Sequence, residues 1–189
     1  MTFNNTPNKW HKVKDGRIIW ESRSVAVNGV ILIDVIDFDS PGPYALVSER
    51  GKNAADNIGL WNNVAGYLDY DESGTDALIR ETWEEVGINI SNMIEDAIQV
   101  YSVNIDQPWH VQTNPTDNNK QNVSLRYGLY TKQRWFPVLH ADNNEIEGEV
   151  GKMKWVHIED LHHYDWAWGH DQIIRSYYDF ITRLPWAKR

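Results

Sequence analysis

The sequence contains no cysteine. That excludes disulfides, thiolate nucleophiles and thiolate-bound metals as sources of stability or chemistry. It also lacks a signal-peptide pattern and any apolar run of membrane-spanning length. The longest apolar stretch, Val30 to Ile33, is strand-sized. An excess of positive charge is missing too. The formal balance is -9, which argues against a nucleic-acid backbone as a standing partner. These absences lead to the expectation of a cytoplasmic protein with no membrane partner and no stable nucleic-acid partner. A small anionic substrate stays open, because bound metal ions would invert the local charge.

What is present suggests one domain over 1–189, with 41% hydrophobic residues to build a core. No internal repeat, low-complexity tract or linker interrupts it. Residues 1–19 are polar and read as a mobile tail or a short leading strand. Residues 24–36 form a long Val- and Ile-rich strand, and 37–43 a turn punctuated by Pro and Gly. Further strands are expected at 44–49, 98–105, 122–135 and 154–158. Residues 92–95 read as a turn, 107–121 as a long polar loop, 141–151 as an acidic loop and 166–184 as a C-terminal amphipathic helix. The order of segments suggests a mixed sheet packed between helices, an α/β protein.

One stretch carries most of the chemical information. Between Gly66 and Ile88 a loop leads into a short helix, with Thr75 placed as its N-cap and Gly87 as the left-handed residue that stops it. At about 100° per residue, Arg80, Glu81, Glu84 and Glu85 share one side, while Leu78, Ile79, Thr82, Trp83 and Val86 share the other. Glutamates three and four residues apart on a helix repel one another by a few tenths of a kcal/mol per pair. Arg80, four residues before Glu84, relieves part of this. Two readings follow: a solvated acidic face, or a carboxylate set gathered for a hard cation such as magnesium.

The spacing separates the two. Gly66, Glu72, Arg80-Glu81, Glu84-Glu85, Gly87 and the aliphatic Ile88 stand at the intervals of the Nudix hydrolase signature, and the sequence resembles that family over the whole motif. At average residue usage a chance match is on the order of one in a billion per starting point. Two departures are mild: Thr82 stands where the family often has an aliphatic residue, and Val64-Ala65 precede Gly66 where Pro-Gly is common.

The resemblance implies a Nudix-like three-layer α/β/α sandwich with a mixed sheet. It implies hydrolysis of a diphosphate bond in a nucleoside diphosphate linked to another group, by water attack on phosphorus. The alternative is a nucleotide-sensing domain of the same fold without turnover. The retained glutamates and Arg80 favour the hydrolase. The implied cofactor is Mg2+, with Mn2+ a possible substitute. Its ligands would be Glu81, Glu84 and Glu85, with the carbonyl of Gly66. The implied base is a motif glutamate, Glu84 or Glu85, or an acid of the late loop, Glu149 first and Glu147 second. Arg50 is the candidate for substrate phosphates, and Tyr67 for substrate contact. Glu72, Arg80 and Gly87 have structural roles. The partner is a small nucleoside diphosphate derivative, and a homodimer is compatible with the family.

The 10 Trp and 9 Tyr leave further choices. Tyr67, Trp109, Tyr127 and Trp166 are candidates to stack on a base, while Trp20, Trp61, Trp83 and Trp155 read as core. His162-His163 and His170-Asp171 do not have the geometry of a shared zinc site. His170-Asp171 reads more simply as a helix start.

Overall fold

The computed structural model describes residues 9–21, 24–36, 42–114, 122–140 and 147–183. Residues 1–8, part of the expected 37–43 turn, the 115–121 portion of the long loop, 141–146 of the acidic loop, and Leu184 at the expected helix end lie outside them. The Trp20 side chain does too. Among the described residues, the strands are β1 (Lys9–Lys12), β2 (Ile18–Glu21), β3 (Val25–Val35), β4 (Tyr44–Arg50), β5 (Trp61–Asn62), β6 (Val64–Tyr67), β7 (Gln99–Asn104), β8 (His110–Gln112), β9 (Val123–Gln133) and β10 (Val150–His157). The helices are α1 (Gly74–Val86), α2 (Ile90–Glu95) and α3 (His170–Thr182), with 3-10 turns at Ile158–His163 and Ala167–Gly169.

β1 and β2 make a separate antiparallel hairpin, so part of the expected tail is ordered as paired strands. The main sheet runs β10-β4-β3-β9-β7. β3 and β9 are parallel, and the other pairs are antiparallel. One edge of β3 is divided: Leu32 and Ile33 pair with β4, whereas Ala26 to Gly29 pair with β6. The sheet forks at this point, and the fork leaves room for a cavity.

Strand side chains alternate between faces, and here both faces are covered. From β3 and β4, Val27, Ile31, Ile33, Tyr44 and Leu46 join Ala77, Leu78 and Val86 of α1 and Ile90 and Met93 of α2. Val30, Leu32, Ala45 and Val47 point the other way, against Ile173, Ile174, Tyr177 and Ile181 of α3. This double burial explains why β3 reads as an unbroken apolar run. The result is a three-layer α/β/α sandwich with a mixed sheet, as the sequence led us to expect.

Several local expectations are corrected. α1 begins one turn-fraction earlier than Thr75: Ser73 is the N-cap, and it forms a capping box with Asp76. Thr75 instead donates its hydroxyl to the Ile105 carbonyl at 2.5 Å. Residues 92–95 are helical, because Asn89 caps α2 through the Asn92 N–H. Trp83 is not core. It is 43% exposed, and its ring meets the His140 ring edge-on at 5.7 Å. Trp61 is buried and Trp155 half-buried.

Leu78 is 1% exposed at the junction of α1 and β3. Leu78→Ala is expected to cost about 2–5 kcal/mol in guanidinium unfolding, against about 1 kcal/mol for Ser73→Ala at the cap. Equal, small shifts in both would mean that the α1–sheet contact does not anchor the helix.

Candidate active site

α1 is shaped by its ends. Ser73 and Asp76 fix the start, and Gly87 (φ 71°) ends it by donating its N–H to the Trp83 carbonyl at 3.0 Å. Thr82, the departure from an aliphatic residue, is fully buried because its hydroxyl donates to the Leu78 carbonyl at 2.7 Å. The buried face therefore tolerates the polar atom, and the acidic face is held toward the fork.

Gly66 on β6 lies directly under this face. A Cβ there would overlap the Glu81 carboxylate, so only glycine lets strand and helix acid approach so closely. Arg80 is the organiser of the cluster. Its Nε donates to Glu72 Oε2 at 3.1 Å and Nη2 to Glu72 Oε1 at 2.8 Å. Nη1 donates to Glu81 Oε1 at 2.9 Å and Glu84 Oε2 at 3.0 Å, and Nη2 also reaches the Tyr67 carbonyl at 3.1 Å. Glu72 further accepts the Asp69 N–H at 2.7 Å, and its pKa lies below the ordinary value, first through the Arg80 hydrogen bond. Glu72 thus ties the loop to the helix.

One guanidinium does not balance the remaining acids. Burial pushes Glu81 up to about 7, despite the Arg80 pairing that pulls it down. Glu85 is pushed well above the ordinary range by burial and then by Glu81. Its Oε2 is buried with no hydrogen-bond partner. A buried, unpartnered carboxylate oxygen inside a cluster of acids is costly, and a hard cation would satisfy it. The oxygen donor set suits Mg2+ or Mn2+. Among the described residues no three acids converge at metal-ligand spacing in this arrangement. Glu81 and Glu84 lean on Arg80 instead.

These residues line a cavity of about 440 Å³ at the fork of the sheet. Gly66, Tyr67, Arg80, Glu81, Glu84, Glu85, Glu149 and Arg50 all reach it. Arg50 is more than a turn cation. Its Nε donates to the Asp56 carbonyl at 2.9 Å, its Nη2 to Asp56 Oδ1 at 3.3 Å, and the guanidinium lies 4.9 Å from the Trp168 ring centre. Tyr67 is half exposed at the rim, 3.4 Å from the Asn122 amide.

The two late-loop acids part company. Asn53 holds this loop by donating to the carbonyls of Gly148 (3.0 Å) and Glu147 (2.6 Å). The Glu147 residue is left exposed and away from the cavity lining. Glu149 faces the cavity, where its charge helps raise both Glu81 and Glu85.

The stacking candidates also divide. Trp109 packs on Tyr177 and Phe180, Tyr127 is buried, and Trp166 donates its Nε1–H to the Leu161 carbonyl at 2.7 Å. None of the three lines the cavity. Trp168 does, and the sequence reading missed it. It holds a left-handed backbone (φ 52°, ψ 18°), uncommon for a bulky residue and a mark of functional sites. His170 is the first residue of α3, after Gly169 as N-cap, as the helix-start reading expects, and it is also buried in the cavity wall. Its Nδ1 accepts the Asn63 N–H at 3.3 Å, and Nε2 lies 3.3 Å from the Asn28 amide. Burial first, and then Arg126 and Arg50, hold its pKa down to about 3, so it is neutral. Asn28 and Arg126 were missed as well. A signal existed for Asn28, a polar residue inside the apolar run of β3.

Comparison with known proteins bears on the whole arrangement. The chain matches the family model described as the NUDIX domain over residues 27–177. A 121-residue stretch is 26% identical to "Nudix hydrolase 19, chloroplastic" of Arabidopsis thaliana, covering 64% of this chain and 23% of that protein. The chain thus spans about a quarter of the length of this relative. Among solved structures, the NUDIX domain of Shewanella oneidensis NrtR complexed with ADP ribose is similar at TM-score 0.60 and 18% identity, over 85% of this chain and 90% of that one. A bifunctional NMN adenylyltransferase/ADP ribose pyrophosphatase from Francisella tularensis, complexed with AMP and a Mn ion, aligns at TM-score 0.59 and 19% identity, over 85% and 42% of the two chains.

The raised Glu81 carboxyl has a consequence for the metal-free protein. A group raised on folding contributes stability that is full below its unfolded value and lost as pH rises through its folded value. Relative to Glu81→Gln, the wild type in EDTA is therefore expected to lose on the order of 3 kcal/mol between about pH 4.5 and 7. Paired thermal melts across this range check it, and a gap between the two proteins that does not change with pH would contradict it.

Proposed function

Because the chain belongs to the Nudix family, a membership that the match over residues 27–177 shows, we propose that it is a divalent-metal-dependent hydrolase of a nucleoside diphosphate derivative. The observation that carries this reading is the buried, unpartnered Glu85 Oε2 within the α1 acid cluster, beside a cavity sized for a small molecule. Glu81, Glu84, Glu85 and the Gly66 carbonyl would hold Mg2+ or Mn2+. A bound divalent ion supplies neutralisation of the diphosphate oxygens and a water of lowered pKa.

The chain's own groups do the rest. Arg80 fixes the Glu81 and Glu84 side chains and, through Glu72, the loop that precedes the helix. Arg80 occupies Glu81 Oε1 and Glu84 Oε2, two of the oxygens that would hold the ion. Arg50, tied to Asp56 and resting on Trp168, presents positive charge to the substrate phosphates from the cavity lining. Glu149 faces the same space and accepts the proton of the attacking water. Water attacks phosphorus, the bond to the bridging oxygen breaks, and that oxygen leaves with the second phosphoryl group. The relatives bound to ADP ribose and to AMP support a small nucleotide derivative as the class of ligand. The complete acid set supports turnover over sensing alone.

A panel of nucleoside diphosphate derivatives assayed with Mg2+ and with Mn2+ tests this. Glu84→Gln and Glu85→Gln are each expected to lower turnover by at least ~100-fold while melting within a few degrees of wild type. Full activity in both variants would remove the metal assignment. For the base, Glu149→Gln is expected to cost about 10²–10⁴ in kcat with divalent-ion affinity retained, and Glu147→Gln to cost little. The reverse order would move the role to Glu147.

A further inference from the structure

Among the described residues three arginines line the cavity, and two are committed. Arg50 is held by Asp56 and Trp168, and Arg80 by Glu72, Glu81 and Glu84. Arg126 on β9 differs. Its Nε is buried without a hydrogen-bond partner, and among the described residues no carboxylate forms an ion pair with it. The residue is half-buried, and withdrawing its Nε from water with no anion in exchange is destabilising. In a chain with 27 acidic residues, an Asp or Glu opposite would be the simple remedy.

The in-register neighbours of Arg126 carry no carboxylate. It stands between His110 of β8 and Asn28 of β3, whose amide meets the neutral His170. Two residues along the same face, Ser124 aligns with Gln112 of β8, and both reach the cavity. Burial lowers the pKa of Arg126 and nothing opposes that effect, which agrees with a cation kept without its counterion.

Position separates this cation from the acids. Arg126, Asn28 and Ala65 lie side by side across β9, β3 and β6. Arg126 is therefore two strand spacings, about 10 Å, from the strand that carries Gly66 beneath Glu81. We infer that Arg126 receives a second anionic group of the ligand, a phosphomonoester on the moiety distal to the diphosphate, with Ser124 and Gln112 as neutral hydrogen-bonding neighbours. A guanidinium fork matches a phosphate bidentately, and the hydroxyl and amide suit its remaining acceptor oxygens. The inference rests on the proposed diphosphatase only for which end of the ligand is called distal.

Calorimetric titration of the full chain with Mg2+ tests it, using adenosine 2′,5′-bisphosphate and its 3′,5′ isomer against AMP. At least one bisphosphate is expected to bind roughly tenfold or more tightly than AMP. Arg126→Gln is expected to bring that ratio close to one, and Arg126→Lys, which keeps the charge, to retain part of it. Glu84→Gln is expected to keep the preference, since it alters the other end of the cavity. No bisphosphate preference in the wild type, or an undiminished preference in Arg126→Gln, overturns the inference. Hydrolysis of the diphosphate panel is read separately. A preference without hydrolysis removes the hydrolase reading alone, whereas hydrolysis without a preference removes the Arg126 assignment alone.

Discussion

One guanidinium faces more carboxylate than it can neutralise. Arg80 binds Glu72, Glu81 and Glu84 at once, yet Glu85 and Glu149 share the same space, where Arg50 offsets only part of the burial and repulsion that raise Glu85. The cost appears in the carboxyl groups, which burial and mutual repulsion drive toward the protonated form. The fold maintains this imbalance. The capping box and Gly87 fix the length of α1, Leu78 and Val86 anchor it on the sheet, and Gly66 lets β6 pass under Glu81. This concentrated charge is the basis of the divalent-ion site proposed above.

The cavity has two ends because of the way β3 divides its edge. Toward β6 and α1 lie the acids. Toward β9 lie Arg126, the neutral His170 and the amides of Asn28 and Gln112. Arg50 and Trp168, in contact with each other, line the same cavity. Under the proposed function this polarity would give a ligand a direction, with its diphosphate at the acidic end and its second moiety along β9.

The acidic end was legible in the sequence because it is local. Gly66, Glu72, Arg80, Glu81, Glu84, Glu85 and Gly87 act within one loop and helix, so their spacing alone carries the information. The long strand β3 was legible for a related reason, since burial on both faces leaves an unbroken apolar run. The other end was not legible. Asn28, Arg126 and His170 are far apart in the chain and meet only through the parallel β3–β9 register and the start of α3. Trp168 depends on a left-handed backbone that no pattern of hydrophobicity reveals. Trp83 shows the opposite error: it sits at the margin of the apolar face of α1, where the helix leaves the sheet, and so stays exposed.

The central claim is that the α1 acids form a divalent-ion site held short of charge balance by Arg80. Titration of Mn2+ into the wild-type chain and a combined Glu81→Gln, Glu84→Gln, Glu85→Gln variant, followed by electron paramagnetic resonance of the free ion, addresses it without any substrate. The account predicts saturable binding in the wild type, displaced by Mg2+ and lost in the variant. Equal Mn2+ binding by the two proteins, or none by the wild type, would contradict it.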